Sequence, residues 1–292
     1  MPLRRWLVPL LLGAAGLAPT PVTPADSSPS AEVSRALREA LAHVERVDQR
    51  VEILGRLAYD PQVDPALRKH AGELFRREAV SSAVALERLF PKAPPEWQAW
   101  ILDLYRENWS ALGRGVSTWR REMVRLGLES GDAAVRLAAA RLGATRPIPR
   151  ITHPMIDAAV EHPELQQAAI LCLGVNRDPK GLRWALDVAA RHGGRWRESL
   201  LFAVSQIGAG ARLRLLEALD DTDPSRVTVA LEALLLVAGD DDIPRLHAWL
   251  IDHGSAVPDL ATRVRRTIAE IEAGSRERVL LEEPELLFDP PR

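Results

Sequence analysis

The feature that most constrains this chain is a regularly spaced glycine in its second half. Each glycine follows a Leu, Ile or Ala that closes an apolar run of helical length. These glycines, spaced by 31, 34, 31 and 35 residues, are Gly143, Gly174, Gly208, Gly239 and Gly274. A period between 20 and 50 residues with helical units is typical of a solenoid, in which stacked units share one core.

Each unit is predicted to contain two helices joined by a short polar turn. We expect the first helix to end at the repeating glycine, because glycine adopts a positive φ without a Cβ clash. The turn then carries an Asp and a Pro, as in Asp178-Pro179. The Asp is expected to cap the second helix, and the Pro fits that helix's first turn. The fold class predicted from this pattern is all-α.

One unit has a more specific pattern than the others. In the segment 131–143, Asp132, Val135, Arg136, Leu142 and Gly143 stand at the spacing found in short HEAT units. The repeat resembles the HEAT-like helical repeats of the PBS-lyase type. That resemblance implies a right-handed α-solenoid of helix pairs, similar to armadillo folds. It also implies a protein-binding scaffold as the commonest role, although other members bind nucleic acid or act as enzymes.

The N-terminus has the pattern of a bacterial export signal. Residues 1–25 carry Arg4 and Arg5, then an apolar stretch from Trp6 to Leu17, then small residues ending at Ala25. Such a segment predicts a signal peptide and a periplasmic or secreted protein. The alternative is that the segment stays uncleaved and anchors the protein. After cleavage no stable membrane span is expected, because the apolar stretch is short and contains Pro9.

The remaining chain divides into four predicted regions. Residues 26–30 form a Pro/Ser-rich linker within a low-complexity stretch that begins near residue 19. Residues 31–130 are predicted to be an irregular helical region with degenerate repeats, and residues 131–274 to be the HEAT-like repeats. Residues 275–292 are predicted to be an extended tail, which either lies across the last repeat or serves as a linear binding motif.

A heptad-like seam runs from Val33 to Ala58 and predicts one long helix. This helix either packs on the first repeat or forms a coiled-coil dimer. The alanines of the seam favour packing within one chain, so we expect a monomer.

The sequence contains no motif that points to catalysis or to metal binding. Cys172, the single cysteine, lies in an apolar run and is predicted to be a core residue. The seven histidines match no zinc-site spacing. We therefore predict no cofactor, no metal site and no catalytic residue. The formal net charge of −2 gives no composition-level support for binding nucleic acid.

The candidate interaction residues come from the second helices, which line the concave face of HEAT-like stacks. Subtracting the apolar stripe of each second helix leaves a mixed-charge surface with aromatic residues, which suits a protein or peptide ligand. The residues selected in this way are Arg183, Trp184, Asp187, Arg214, Arg245 and Trp249.

These observations predict an exported, non-catalytic scaffold or adaptor that binds a protein or peptide through its concave face. An enzyme is the alternative, with a site assembled from ionisable residues of several repeats. A nucleic-acid-binding protein is a further alternative, which the acidic residues among the basic ones argue against.

Overall fold

The computed structural model describes residues 29–112, 118–192 and 196–274, and the described chain is all-α, with no strand in these three ranges. The predicted signal peptide and the predicted C-terminal tail lie outside these ranges. The N-terminal helices are α1 (Pro29–Ala42), α2 (Val47–Tyr59), α3 (Pro65–Glu78), α4 (Ala83–Leu89), α5 (Pro95–Glu107), α6 (Trp109–Leu112) and α7 (Thr118–Leu128). The helices of the predicted repeats are α8 (Ala133–Thr145), α9 (Thr152–Glu161), α10 (Gln166–Val175), α11 (Leu182–Arg191), α12 (Arg197–Ile207), α13 (Ala209–Ala218), α14 (Pro224–Leu234), α15 (Ile243–His253) and α16 (Pro258–Glu272).

The predicted long N-terminal helix is wrong, because the chain leaves the helix between Ala42 and Val47. α1 already begins at Pro29, inside the predicted linker 26–30. The two shorter helices both pack on α3, and α2 also packs on α4. Neither Gly nor Pro stands in residues 43–46, so the sequence carries no such signal for this break.

The predicted aspartate caps are confirmed at several helix starts. Asp132 accepts hydrogen bonds from the backbone N–H groups of Ala134 (2.9 Å) and Val135 (3.1 Å) at the start of α8. Asp223 accepts from Ser225 (2.9 Å) at the start of α14. These bonds satisfy N–H groups that have no partner within the helix, so the polar turns set where the helices begin.

The repeating glycines have two different structural roles. Gly208 (φ 65°, ψ −134°) and Gly274 (φ 61°) have positive φ and follow helix ends. We expected Gly208 to adopt the left-handed helical conformation, and it does not. Its ψ places it instead in a region of backbone conformation that is almost specific to glycine. Gly143 and Gly174 lie inside α8 and α10, and Gly239 has an extended backbone (φ −131°), so the predicted positive-φ helix end is wrong for these three glycines.

Gly174 permits a close approach between two helices. A Cβ at this position would lie 2.7 Å from the Cα of Ala203 and 3.0 Å from the Phe202 ring in α12. Glycine is therefore required there for packing, not for a turn.

The helix α10 lies at the centre of the molecule. Every residue from Gln166 to Gly174 is buried, so the helix has no solvent-facing side. Leu171 and Cys172 join the apolar core of the N-terminal half, whereas Ile170 and Leu173 join the core of the C-terminal half. Because α10 is buried on all faces, it packs against both apolar cores and joins the N-terminal half to the C-terminal half.

The first helices of successive units contact one another in the order α8, α10, α12, α14 and α16, and α5 precedes α8 in the same row. The second helices form a second layer that packs against this row of first helices. Contacting pairs include α11 with α14 and α15 with α16. Among the first helices, α10 is covered on all sides, whereas α12 and α16 keep exposed residues such as Arg197 and Arg263.

Candidate functional site

A cleft of about 840 Å³ lies mainly between α14 and α16, the first helices of the last two units. We call it the arginine cleft. It is lined by Arg197 of α12, by Thr228, Leu231, Glu232 and Leu235 of α14 and the turn after it, and by Thr262, Arg263, Arg266, Thr267 and Glu270 of α16. Its walls therefore come from three consecutive units of the repeat.

An ion network crosses the arginine cleft. The Glu232 carboxylate lies 2.9 Å from Nε of Arg197 and 3.5 Å from Nη1 of Arg263. One carboxylate is thus shared by two guanidinium groups, which leaves a local excess of positive charge. Both arginine side chains are about half exposed (53% and 54%), so an acidic ligand can reach them from solvent.

A second pair extends the charged surface along α16. Arg266 Nε lies 2.6 Å from Glu270 Oε1, four residues further along the helix. The cleft as a whole therefore contains three arginines and two glutamates. Guanidinium groups carry several N–H donors in a planar fork that matches a carboxylate. The surface favours ligands that offer carboxylates.

The floor of the cleft is apolar and its edges carry hydroxyl groups. Leu231 is 2% exposed, and Leu235 is half-buried beside it. The hydroxyls of Thr262 and Thr267 donate to backbone oxygens of Pro258 and Arg263 (both 3.1 Å). An apolar floor between charged walls suits a peptide with both apolar and acidic side chains.

The predicted interaction residues of α11 lie beside the turn that precedes α14. Arg183 is exposed, Trp184 is half-buried, and Asp187 lies 2.6 Å from Nε of Arg226. Nη1 of Arg226 also contacts Asp221 at 2.6 Å. Asp187 is therefore one carboxylate of an internal ion network between α11 and α14.

Asp221 in this network has a perturbed acidity. A hydrogen bond from the backbone N–H of Asp223 (2.9 Å) lowers the pKa of the Asp221 carboxyl, and the charges of Arg226 and Arg183 lower it further. Burial acts in the opposite direction. The carboxylate form is favoured because it is hydrogen-bonded and flanked by cations, which is the behaviour of a structural turn.

The predicted arginines of α13 and α15 are exposed but paired with acidic neighbours. Arg214 lies 2.8 Å from Glu217, one turn along its own helix, and Arg245 lies 2.5 Å from Asp220. The prediction that these residues are solvent-exposed is confirmed. They do not line the arginine cleft.

Trp249 does not offer the exposed aromatic anchor expected from the sequence. Its side chain is 4% exposed, and its Nε1–H donates to the backbone oxygen of Leu219 at 2.5 Å. The indole fills the core where α15 meets the end of α13. The Leu219 oxygen supplies the acceptor that the N–H of a buried Trp needs. This ring is a packing group.

Sequence reasoning missed the arginine cleft because it subtracted apolar stripes only from the second helices. A signal was present in the first helices: Arg197 and Arg263 both stand eleven residues before the glycine of their unit, Gly208 and Gly274. A charged residue at one repeat register predicts a row of charges on one face. The intervening Glu232 stands at a different register, and only the packing shows that it joins the two arginines.

A second cleft of about 700 Å³ lies in the N-terminal half. Its walls include Tyr59, Arg76 and Trp97, and the guanidinium carbon of Arg76 lies 4.8 Å from the centre of the Trp97 ring. Tyr59, Phe75 and Trp97 contact one another with ring centres 5.2 to 5.7 Å apart. These tilted and edge-on contacts are those of a packed aromatic core.

The other tryptophans between residues 97 and 119 divide between core and surface. Trp100 joins the aromatic core through a tilted contact with Phe75, with ring centres 5.4 Å apart, whereas Trp119 is 40% exposed. The guanidinium of Arg120 lies 5.3 Å from the Trp109 ring. Trp97, at 8% exposure, fills the core.

Cys172 is in the core, as predicted from its apolar run. The side chain is fully buried, and burial raises the pKa of the Cys172 thiol to about 12. A thiol in that state is protonated at neutral pH and is a poor nucleophile. Within residues 29–112, 118–192 and 196–274, no cluster of three or more His, Cys, Asp or Glu side chains has the geometry of a metal site.

The comparisons with known proteins find no match for this chain among family models, curated proteins or solved structures. In the described part of the chain, no helix combines the length and the apolar character needed to cross a bilayer.

Proposed function

We propose that the protein is a non-catalytic scaffold that binds a partner protein through the arginine cleft. The observation that carries this proposal is the Arg197–Glu232–Arg263 network, which connects three successive first helices across the cleft. The shared Glu232 carboxylate holds the two guanidinium groups near each other. The segment of the partner that binds is a peptide with carboxylates for the arginines and apolar side chains for the floor around Leu231.

The architecture proposed for this scaffold is a right-handed solenoid of HEAT-like helix pairs. The row of contacting first helices and the layer of second helices support it. The proposed location is the periplasm or the cell exterior of a bacterium, and the export pattern of residues 1–25 supports that location. An uncleaved N-terminal anchor is the alternative.

The proposed binding face differs from the one predicted from sequence. Arg183, Trp184, Arg214 and Arg245 lie on second helices, whereas the arginine cleft is formed by first helices. The two faces can be compared directly, since each carries exposed arginines that are paired with a glutamate or aspartate.

The proposal predicts that reversing charge in the arginine cleft abolishes partner capture. The test variant is Arg197→Glu with Arg263→Glu, and the matched control is Arg214→Glu with Arg245→Glu. Each tagged full-length protein is cross-linked in its own cells and purified, and the captured proteins are quantified. We expect the cleft variant to lose about tenfold or more of a partner that wild type and control retain, which corresponds to about 1.4 kcal/mol of binding free energy.

Circular dichroism and thermal unfolding of both variants provide the folding control. All four arginines are about half exposed, so their ion pairs contribute little to stability. Loss of capture in the control variant alone would assign binding to the second helices. Equal capture by all three proteins would contradict the proposed site.

A further inference from the structure

The C-terminal tail contains a segment whose chemistry complements the arginine cleft. Residues 282–289 read EEPELLFD, with four acidic residues, three large apolar ones and no basic residue. The cleft presents three arginines around an apolar floor. The segment thus places three glutamates before its three apolar residues and one aspartate after them.

The C-terminal tail follows the C-terminal end of α16, a helix that lines the cleft. α16 forms one wall of the cleft and ends at Glu272, and Gly274 follows with a positive φ of 61°. Seven residues separate Gly274 from Glu282, and the eight steps from one Cα to the other span about 26 Å in an extended chain. Arg263 stands eleven residues before Gly274, about 17 Å along the helix. The segment can therefore reach Arg263 without a change in the helices.

We propose that residues 282–289 bind in the arginine cleft of the same chain and compete with the partner. This inference rests on the proposed function, since it assigns an internal competitor to the same site. The carboxylates of Glu282, Glu283 and Glu285 pair with the cleft arginines, and Leu286, Leu287 and Phe288 supply the apolar contacts. A partner with a similar segment must displace the tail before it can bind.

The tethered tail has a large advantage over the same peptide in solution. A tether of this length gives an effective concentration on the order of 1 mM. A peptide that binds with a Kd of about 100 µM would then bind the unmodified chain about tenfold more weakly than a chain with its tail released. This ratio can be measured with a peptide competitor.

The test uses a fluorescent peptide of residues 278–292 and three full-length proteins. These are the wild type, the tail variant Glu282→Lys with Glu283→Lys and Glu285→Lys, and the cleft variant Arg197→Glu with Arg263→Glu. Fluorescence anisotropy gives the apparent Kd of the peptide for each protein. A peptide with the same three glutamates changed to glutamine is the control for charge.

We expect the tail variant to bind the peptide at least fivefold more tightly than wild type, and the cleft variant to bind it at least tenfold more weakly than the tail variant. Equal affinity of wild type and tail variant, with loss in the cleft variant, would overturn the tail proposal and leave the cleft as a peptide-binding site. Absence of binding to every protein would also overturn the tail proposal. The proposed function would then depend on the capture experiment alone, so the two failures are distinguishable.

Discussion

Replacing Gly174 with Val is expected to reduce the free energy of unfolding by about 3 kcal/mol, the largest effect of any single glycine substitution considered for this chain. The added Cβ would meet the backbone of Ala203 at 2.7 Å. Backbone cannot move aside as a flexible side chain can, so α10 and α12 must separate. Because α10 is buried on all sides, that separation also disturbs the packing of both halves.

Two other glycines provide controls for this result. Gly131 is exposed and has no atom within 4 Å of a Cβ, so Gly131→Val should change stability by less than about 0.5 kcal/mol. Gly208 also has open space but a φ of 65°, so Gly208→Val should cost about 1–3 kcal/mol through backbone strain alone. Chemical denaturation of the three variants should rank Gly174 first, Gly208 second and Gly131 last. A Gly174 variant as stable as the Gly131 variant would show that α10 and α12 are not in close contact.

The second large effect is expected from Asp242→Ala, with a loss of about 3 kcal/mol. The Asp242 side chain is 2% exposed, and it accepts from Arg212 Nε at 2.7 Å and from the backbone N–H of Gly239 at 2.9 Å. Removing the carboxylate leaves both donors without this acceptor and leaves a partly buried guanidinium without its counter-charge. Such a loss costs more than the pair itself contributes, because desolvated charge remains.

The neighbouring Asp241 gives a matched control, since it lies in the same turn and is exposed. Asp241→Ala should change stability by less than about 0.5 kcal/mol. Urea denaturation of both variants at neutral pH measures the difference. Similar midpoints for the two would mean that the Arg212–Asp242 pair does not stabilise the turn between α14 and α15.

Much of the fold could be predicted from sequence because its signals are local. The Asp132 and Asp223 caps stand directly before apolar runs of helical period, and the structure starts helices there. The apolar stripe of Leu182, Ala185, Leu186 and Ala189 in α11 is buried as predicted. Periodicity within one helix is enough for such predictions.

The errors concern partners that are distant in sequence. Gly174 and Gly208 follow similar apolar runs, and only the approach of α12 shows that Gly174 is a packing residue. Trp249 and Arg245 lie one turn apart on α15, yet Arg245 is exposed and Trp249 is buried. The Trp249 indole packs in the core and donates to the backbone oxygen of Leu219, thirty residues earlier. A sequence pattern shows which residues share a face but not which helix covers that face.

The candidate site illustrates the same limit. The register of Arg197 and Arg263 can be found in the sequence, but the role of Glu232 between them depends on how α12, α14 and α16 are spaced. Which helices leave an open cleft depends on the packing of both layers. The sequence therefore predicts helix pairs well and binding surfaces poorly.

Site-specific photo-cross-linking tests most directly whether the partner binds on the first helices. A benzophenone amino acid is placed at Thr262, an exposed residue of the arginine cleft, or at Leu213, which is 69% exposed on α13. The full-length protein is irradiated in its own cells, and the cross-linked peptides are identified by mass spectrometry. We expect Thr262 to form adducts with an acidic segment of a partner or of the protein's own tail, and Leu213 to form none. Adducts of a partner with Leu213 and none with Thr262 would contradict the account and return the binding surface to the second helices.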